Sequence, residues 1–320
     1  MRKIYNLKLK TLGPIFIGNG HTLRKNQYIY DKYKEQVDII DDAKFIEVLI
    51  KAGKYDVFVS EVRQKKVNDL RYFLSQHKID SKFFKLYSLP VNAFKNTKHR
   101  LNDLSLFIRD GNGEAYIPGS SLKGALRTCI LSKPDDDKKD NPLFKNLSIS
   151  DSSVISNDAF KVYQKIDFSS KKKQPNSLPI YRECIKPGTS INFTISFDDV
   201  DITLDQIKEG INKTYNCYHD NWASKIKDPQ IHPNSKGNRL LIYLGGGAGF
   251  VSKTLHYKEK KPEIAKRDIL DILKKKYPAY KKLRNPQNVP IAVKITISAS
   301  RGEPEMGLCE LFFEEMEMNL

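Results

Sequence analysis

The sequence predicts an α+β fold made of ferredoxin-like units with insertions, in which antiparallel sheets carry helices. Three features of the 320 residues support this class: short runs of alternating apolar and polar residues, single helical patterns between them, and turns rich in glycine, asparagine and aspartate. Strands that alternate with single helices in this way are typical of ferredoxin-like units.

The chain is long enough to bury a sizeable core, either as one large domain or as two packed halves. We expect an N-terminal ferredoxin-like half at 1–150, with a helical insertion at about 41–100, and a second half at 151–320 that ends in closing strands. The two halves are expected to pack as one compact unit.

The first strands precede the insertion. Apolar residues interleave with polar ones over 4–12, and the apolar run 15–17 then leads into a loop that contains glycine. Two further short strands are predicted at 27–31 and 36–40.

The insertion is predicted to be helical. Asp41 and Asp42 can cap a helix that carries the apolar residues Phe45, Ile46, Leu49 and Ile50. A second helix is predicted from about Ser60, because apolar residues recur at helical spacing as far as Leu74.

A hairpin and a helix are predicted in the middle of the chain. The strands 104–109 and 114–117 are joined by 110–113, where Asp-Gly and Asn-Gly pairs supply the positive φ values of a tight turn. A helix follows over 120–130, and the polar stretch 133–146 is predicted to be a loop.

The second half begins with strands within 147–168 and 180–198, separated by a basic loop at 171–175. Thr203 and Gln206 match a capping box and open a helix. The apolar face of that helix is interpreted as core and not as a base-stacking platform; it comprises Leu204, Ile207, Ile211, Tyr215, Tyr218 and Trp222. Further predicted elements are a strand at 240–244, a basic helix at 263–276 and closing strands at 291–297 and 308–313.

The charge of the chain favours polyanionic partners. It has 55 Lys and Arg against 38 Asp and Glu, which gives a formal net charge of +17. Binding of Lys and Arg to phosphates releases condensed counterions, so such a charge favours nucleic acid. A generally lysine-rich composition is the alternative explanation.

Several classes of protein are disfavoured. The four cysteines form no C-x-x-C pair, which indicates a reducing environment with no disulfide framework and no structural metal. The N-terminus has no apolar signal core, and no apolar run approaches the length of a membrane span. We therefore expect a cytoplasmic protein with no membrane association, no metal and no cofactor.

The strongest candidate site is the segment 116–127, where a strand, a sharp turn and a helix start follow one another. Free N–H groups and the helix dipole favour a phosphate there, and basic side chains lie four residues apart on the helix. The candidate RNA-binding residues are Gly119, Ser120, Ser121, Lys123 and Arg127, with the serines expected as N-caps. The alternative is an ordinary capped helix with two solvated bases.

A second candidate is the glycine-rich segment 244–254. Glycines let a backbone approach a ligand closely, and successive N–H groups can hold an anion. The candidate residues are Gly245, Gly246, Gly247, Gly249, Ser252 and Lys253. The P-loop spacing is not met, which disfavours nucleotide hydrolysis. A loop that holds the RNA backbone is favoured, and a plain flexible loop is the alternative.

The third candidate comprises Gly18, Asn19 and His21, directly after the first strands and close to Arg24 and Lys25. His21 could serve as an acid or base near a phosphate. The alternative is an exposed histidine with no role. The carboxylates at 135–137 and 198–199 are interpreted as solvated, since they lack metal-ligand spacing.

These segments together resemble the RAMP superfamily of CRISPR effector proteins, whose fold is ferredoxin-like (RRM-like). Residues 116–128 resemble its helix-opening signature, 9–20 its first strand and loop, and 244–254 its glycine-rich loop. Residues 182–189 and 307–314 resemble a turn in its second half and its closing strand.

Within the superfamily, 27–31 and 249–254 resemble the fifth-subunit family of the type III-A CRISPR (Csm) complex. This resemblance implies an antiviral role in capping the crRNA 3′ end and supporting crRNA maturation, by presenting that end to a host nuclease. The implied partners are crRNA, target RNA and neighbouring Csm backbone subunits. Backbone relatives cut RNA with an aspartate that has no positional match here, so no catalytic residue is assigned, Asp31 included.

Three functions therefore stay open. The favoured one is a non-catalytic RNA-binding subunit, with salt-sensitive binding of single-stranded RNA. A metal-independent RAMP endoribonuclease that uses His21 or a nearby aspartate is the enzyme alternative. A subunit that only assembles with other proteins is the third, and the charge of +17 disfavours it.

Overall fold

The computed structural model describes residues 2–67, 69–93, 101–131, 142–168, 180–198, 202–225, 239–249, 251–253, 258, 261–282, 285, 293–297 and 305–316. Its strands are β1 Arg2–Thr11, β2 Gly18–Leu23, β3 Tyr28–Asp31, β4 Gln36–Ile40, β5 Lys85–Asn92, β6 Leu104–Phe107, β7 Ser148–Ile149, β8 Phe160–Gln164, β9 Ile166–Phe168, β10 Tyr181–Ile185, β11 Ser190–Asp198, β12 Leu240–Tyr243, β13 Val293–Ile295 and β14 Leu308–Glu315. Its α-helices are α1 Asp42–Lys51, α2 Tyr55–Arg63, α3 Leu70–Gln76, α4 Gly119–Ile130, α5 Pro142–Lys145, α6 Leu204–Asn221 and α7 Pro262–Lys276.

The first sheet has five strands in the order β12-β14-β1-β11-β7, and all its neighbours are antiparallel. Its register follows from apolar alternation. Leu7 lies opposite Phe193 and Leu9 opposite Ile191, and all four side chains are buried while their neighbours in sequence face outward.

The second sheet has seven strands in the order β2-β6-β10-β8-β5-β4-β3. Two of its neighbouring pairs, β6 with β10 and β5 with β8, are parallel, and the others are antiparallel. The prediction of antiparallel sheets with helices is therefore correct apart from these two pairs. A small antiparallel pair of β13 and β9 completes the described strands.

One hydrophobic core joins the two sheets. It combines Leu7 of β1 with Val162 of β8 and with Leu122 and Ile207 of the helices α4 and α6, all of them buried. Both sheets contain strands from before and after residue 150, so the predicted boundary at that residue does not separate the sheets. The two predicted parts share one core.

The helical insertion has its own apolar cluster. Asp41 caps α1 as predicted, since its carboxylate accepts the N–H of Lys44 at 3.1 Å. The predicted helix from Ser60 to Leu74 is instead two helices. Lys65 has a φ of 56°, and the N–H of Lys66 donates to the carbonyl of Glu61, which closes the end of α2.

Other expectations are partly corrected. Residues 114–117 form no strand; Ala115 makes isolated bridges to Arg109 and Ile155 around the predicted 110–113 turn. The capping box of Thr203 and Gln206 opens α6 as predicted.

The short helix α5 lies inside the predicted 133–146 loop. Residues 132–141, which include the carboxylates at 135–137, and the basic 171–175 loop lie outside the described residues. Within the described chain, no helix has the length and apolar character needed to cross a membrane.

Candidate nucleic-acid interface

All three predicted segments contribute to one cleft. The cleft measures about 520 Å³ and lies between α4, α6, β12 and the glycine-rich loop that follows β12. Six of the predicted residues line it, namely Gly18, Ser121, Gly245, Gly246, Ser252 and Lys253. The fold thus brings together segments separated by more than 100 residues.

The glycine-rich loop is held against the segment between β1 and β2. The N–H of Gly246 donates to the carbonyl of Phe16 at 2.7 Å. Gly245 has a φ of 85°, and a Cβ atom there would lie 2.2 Å from the same carbonyl oxygen. Only glycine fits this close backbone contact. Gly247 packs against Met306, and Gly249 accepts a hydrogen bond from the Ser252 hydroxyl at 2.9 Å.

Two cations converge on the carbonyls of this loop. The ammonium of Lys253 donates to the carbonyl of Gly245 at 2.6 Å, and the guanidinium of Arg182 donates to that of Gly246 at 3.1 Å. Arg182 also stacks on the ring of Phe16 at 4.8 Å. Each cation has N–H donors beyond the one it uses here, and Lys253 is exposed.

This pair of cations is favourable for an anion. Partial burial lowers the pKa of Arg182. Partial desolvation of its ammonium, followed by the charge of Arg182, lowers the pKa of Lys253 although the residue as a whole is exposed. Asp167 is the carboxylate that acts on Arg182, and it already accepts hydrogen bonds from Lys165 at 3.0 Å and Lys294 at 2.7 Å. A phosphate at the loop would offset the remaining positive charge.

The start of α4 differs from its prediction. Pro118 occupies the N-cap position, so Ser120 and Ser121 lie in the first turn and do not cap the helix. The N–H of Gly119 donates to the carboxylate of Asp151 at 2.8 Å, and a Cβ atom at Gly119 would lie 2.3 Å from the carbonyl of Ile149. This N–H is therefore occupied by a carboxylate of the chain itself. Ser120 is exposed, and Ser121 faces the cleft.

Lys123 and Arg127 lie on the side of α4 that contacts 142–149. The ammonium of Lys123 donates to the carbonyl of Leu147 at 2.5 Å, and the guanidinium of Arg127 lies 5.6 Å from the ring of Phe144. Neither residue lines the cleft. Their predicted contact with RNA remains a prediction, and the structure gives both a role in packing.

The third segment forms an exposed bulge at the edge of the second sheet. The pairing of β2 with β6 shifts between Gly18 and Thr22, and Asn19 accepts the N–H of His21 at 2.8 Å within the bulge. His21 is exposed. A Cβ atom at Gly18 would lie 2.8 Å from the Phe16 ring, which links this segment to the ring that supports Arg182.

The far wall of the cleft is aromatic. Tyr215, Tyr218 and Tyr243 line it, and the hydroxyls of Tyr218 and Tyr243 both donate to the buried carboxylate of Glu305. Burial, followed by the charge of Glu305, raises the pKa of both phenols well above the usual value. These hydroxyls are neutral donors that are already satisfied, so the wall is largely apolar.

Sequence reasoning found part of this site. The tyrosines of α6 were interpreted as core, and they are buried, yet they also line the cleft. Arg182 was not among the predicted binding residues, because its partners Phe16 and Gly246 are far away in sequence. The only sequence signal for it was its place in the 182–189 segment.

The groups that line the cleft and its mouth set its chemistry. Over the part of the chain that the structure describes, no group of three or more His, Cys, Asp or Glu residues could hold a metal ion. Burial raises the pKa of the Cys129 thiol at the cleft to about 12, which leaves it a poor nucleophile. The cleft therefore combines an apolar interior with a basic, glycine-rich mouth.

Comparisons of the sequence with a family model and with known proteins point to the same family. The model of the RAMP superfamily matches residues 8–291. A CRISPR system Cms protein Csm5 of Enterococcus italicus is 36% identical over 98% of this chain and 98% of its own length. Csm5 of Streptococcus thermophilus is 29% identical, with 85% of this chain and 88% of the relative covered.

Solved structures agree on the fold. A chain in a Csm-crRNA-target RNA ternary complex of a type III-A CRISPR-Cas system matches 96% of this chain and 100% of its own length, with a TM-score of 0.69 and 17% identity. The crystal structure of Csm5 from T. onnurineus matches with a TM-score of 0.64 and 15% identity, covering 95% of this chain and 99% of that one. At these identities the likeness concerns the fold alone.

Proposed function

Since this chain belongs to the Csm5 branch of the RAMP superfamily, we propose that it binds and caps the 3′ end of crRNA in a type III-A CRISPR (Csm) complex. Its proposed partners are crRNA, target RNA and the neighbouring Csm backbone subunits. By holding the 3′ end, it would present that end to a host nuclease for maturation. We propose that it does not cut RNA itself.

The observation that carries this proposal is the basic mouth of the cleft. Arg182 and Lys253 meet at the carbonyls of Gly245 and Gly246, and Gly246 and Lys253 are exposed. A single-stranded RNA backbone can bind such a surface through its phosphates. The net charge of +17 adds long-range attraction for the same partner.

The first test is a salt titration of the purified full-length chain with labelled single-stranded RNA. Each phosphate contact contributes about −0.7 to the slope of log affinity against log salt. We expect Lys253→Gln to reduce the slope by about that amount. The matched control is Lys51→Gln, which removes an exposed lysine from the last turn of α1, a helix that packs in a separate apolar cluster and contributes no residue to the cleft lining. If Lys253→Gln and wild type have equal slopes of log affinity against log salt, the glycine-rich loop is not part of the RNA interface.

The same samples on a denaturing gel separate binding from cleavage. We expect intact RNA at every protein concentration. Discrete products with 2′,3′-cyclic phosphate ends, lost in His21→Ala, would replace the proposal with a metal-independent ribonuclease. Absence of any RNA binding at low salt, by the chain alone and in the complex, would favour a subunit that only assembles with proteins.

The capping role requires the whole complex. We expect complexes reconstituted without this subunit to carry crRNA whose 3′ ends are longer or more varied in length after nuclease treatment. Complexes that contain Lys253→Gln should show the same change in part, and those that contain Lys51→Gln should match wild type. Identical crRNA ends with and without the subunit would contradict the role in maturation.

A further inference from the structure

We infer that the cleft between α4 and α6 is a nucleobase pocket, which holds one base turned out of the bound RNA while its phosphate stays at the glycine-rich loop. This inference rests on the proposed RNA-binding function and goes beyond it. It assigns the interior of the cleft to a base, whereas the proposed function concerns only the phosphates at the mouth.

The dimensions and walls of the cleft suit a small planar group. Its volume of about 520 Å³ lies within the roughly 300–1,000 Å³ typical of small-molecule pockets. Tyr215 and Tyr218 of α6 line the cleft together with Gly124 and Thr128 of α4. Both rings are largely buried, with 3% and 7% of their surface exposed, so a base would meet them through apolar contact with the part of each ring that faces the cleft.

Gly124 keeps the cleft open. It lies in the middle of α4, where glycine is less favourable than alanine, and it is exposed. A Cβ atom at Gly124 would meet no heavy atom within 4 Å, so the packing of the protein does not require glycine here. The missing side chain is explained if a ligand occupies the space next to it.

The charge at the mouth of the cleft and the apolar character of its interior indicate which class of ligand fits. The mouth carries Arg182 and Lys253, which favour an anion, while the interior is apolar. A nucleotide combines an anionic phosphate with a planar base, and it therefore matches both parts at once. An acidic peptide would match only the mouth.

The pocket should accept any base. Tyr218 and Tyr243 direct their hydroxyls to Glu305, and those of Thr128 and Thr214 donate to the carbonyls of Gly124 and Cys129. These groups are already engaged, so they offer little recognition of base edges. Base identity is read through hydrogen bonds to base edges, so apolar contact alone gives little sequence preference.

The test is to fill the pocket from Gly124. Gly124→Leu adds a side chain at the lining of the cleft, where a Cβ atom would meet no heavy atom within 4 Å, and Gly111→Leu adds the same side chain at an exposed turn whose Cβ position is equally open. We expect Gly124→Leu to weaken single-stranded RNA binding by about 5- to 150-fold, the range for loss of the contacts of one base with aromatic side chains. The salt slope should stay unchanged because no phosphate contact is lost. Gly111→Leu should bind as wild type.

Mononucleotides provide a second readout by calorimetry on the full-length chain. We expect AMP and UMP to bind with similar affinity to each other and more tightly than ribose 5-phosphate, and Gly124→Leu to abolish this advantage. Thermal melting controls for folding, since Gly124→Ala and Gly124→Leu should melt no lower than wild type.

The outcomes distinguish the pocket from the proposed function. Salt-dependent RNA binding that Gly124→Leu leaves unchanged would overturn the pocket and leave RNA binding in place. Equal affinities for AMP and ribose 5-phosphate, or no binding of either while RNA binds, would overturn it as well. A change in salt slope in Gly124→Leu would show that the residue acts on phosphate contacts and not on a base.

Discussion

At the residue scale, the second sheet depends on a buried ion pair. The carboxylate of Glu183 is fully buried and accepts hydrogen bonds from the Arg109 guanidinium at 2.6 Å, the Tyr87 hydroxyl at 3.2 Å and the N–H of Phe107 at 3.0 Å. We expect Glu183→Ala to lower the free energy of unfolding by about 3–5 kcal/mol, because it removes the buried counter-charge of Arg109 and leaves the N–H of Phe107 without its acceptor. Urea unfolding measures the change.

An exposed pair provides the matched control. Lys3 and Glu315 lie 3.4 Å apart with side chains 40% and 60% exposed. Surface pairs of this kind contribute about 0–1 kcal/mol, so Lys3→Ala should change stability little. Similar losses in Lys3→Ala and Glu183→Ala would mean that burial of the Glu183 carboxylate does not determine its contribution.

Gly307 is a second residue with a specific structural requirement. It has a φ of 89°, and a Cβ atom there would lie 2.7 Å from Ala248 and 2.8 Å from the carbonyl of Leu244. Gly307→Ala should therefore destabilise the protein by at least about 1–3 kcal/mol through backbone strain alone. Gly111→Ala, at a position with open space and no positive φ, should be nearly neutral. Thermal melting of the two variants checks the contrast, and equal melting temperatures would contradict it.

The sequence predicts the role of a residue where that role depends on its neighbours in the sequence. The glycines at 245–249 and Lys253 stand out in the sequence, and the structure places several of them at the cleft. Arg182, Tyr243 and Glu305 carry no such signal, because their roles depend on partners from distant segments. Lys123 and Arg127 show the converse. Their spacing on one helix suggested a phosphate site, but tertiary contacts hold both against 142–149.

At the scale of elements, helix starts were predictable where a side chain caps them. Asp41 and Thr203 both cap as the sequence indicates, since these bonds span only three residues. The start of α4 was misassigned because Pro118 takes the cap position ahead of the serines. The break between α2 and α3 was missed because the apolar spacing continues through it, although Lys65 adopts a left-handed conformation.

The cap of α1 should give a measurable pH dependence. The N–H of Lys44, which the carboxylate accepts, lowers the pKa of Asp41. The cap therefore stabilises the fold fully above the unfolded pKa of about 3.9 and loses this contribution as the pH falls through the lower folded pKa. Asp41→Ala should lower stability by about 0.5–2 kcal/mol at pH 7.

Asp41→Asn separates the charge from the hydrogen bond. The amide keeps an acceptor for the N–H of Lys44 and does not titrate. The stability of wild type relative to Asp41→Asn, measured by urea unfolding, should be constant at neutral pH and decrease below about pH 4. A difference that grows on acidification would contradict the lowered pKa.

At the scale of the whole molecule, the class of fold was more predictable than its topology. Alternation and turn residues identify strands one at a time, and the element order indicates α+β. Strand order is set by long-range pairs, such as β1 between β11 and β14, which no local pattern encodes. The two parallel pairs of the second sheet, β6 with β10 and β5 with β8, are also long-range pairs that no local pattern encodes. For this reason a boundary placed at residue 150 from the order of elements does not coincide with a division between the sheets.

The interleaving of strands predicts that the chain cannot be divided at that boundary. A fragment of residues 151–320 would lack β1, which lies between β14 and β11, and a fragment of residues 1–150 would lack β10 and β8, which lie between β6 and β5. Each fragment would expose strand edges and half of a shared core, so neither should unfold cooperatively alone. Their equimolar mixture should recover a cooperative transition through the pairing of β1 with β11.

Trp222 is a direct probe of this complementation. It is the single tryptophan of the chain, lies in the second fragment and is buried in the intact protein. Its fluorescence should be shifted to longer wavelength in the fragment alone and return toward the intact emission when residues 1–150 are added. Cooperative melting of both separate fragments, with an unshifted Trp222 signal, would instead establish two autonomous ferredoxin-like halves. The pairing of β1 across the first sheet makes the first outcome the expected one, because the central strand of that sheet belongs to the other fragment.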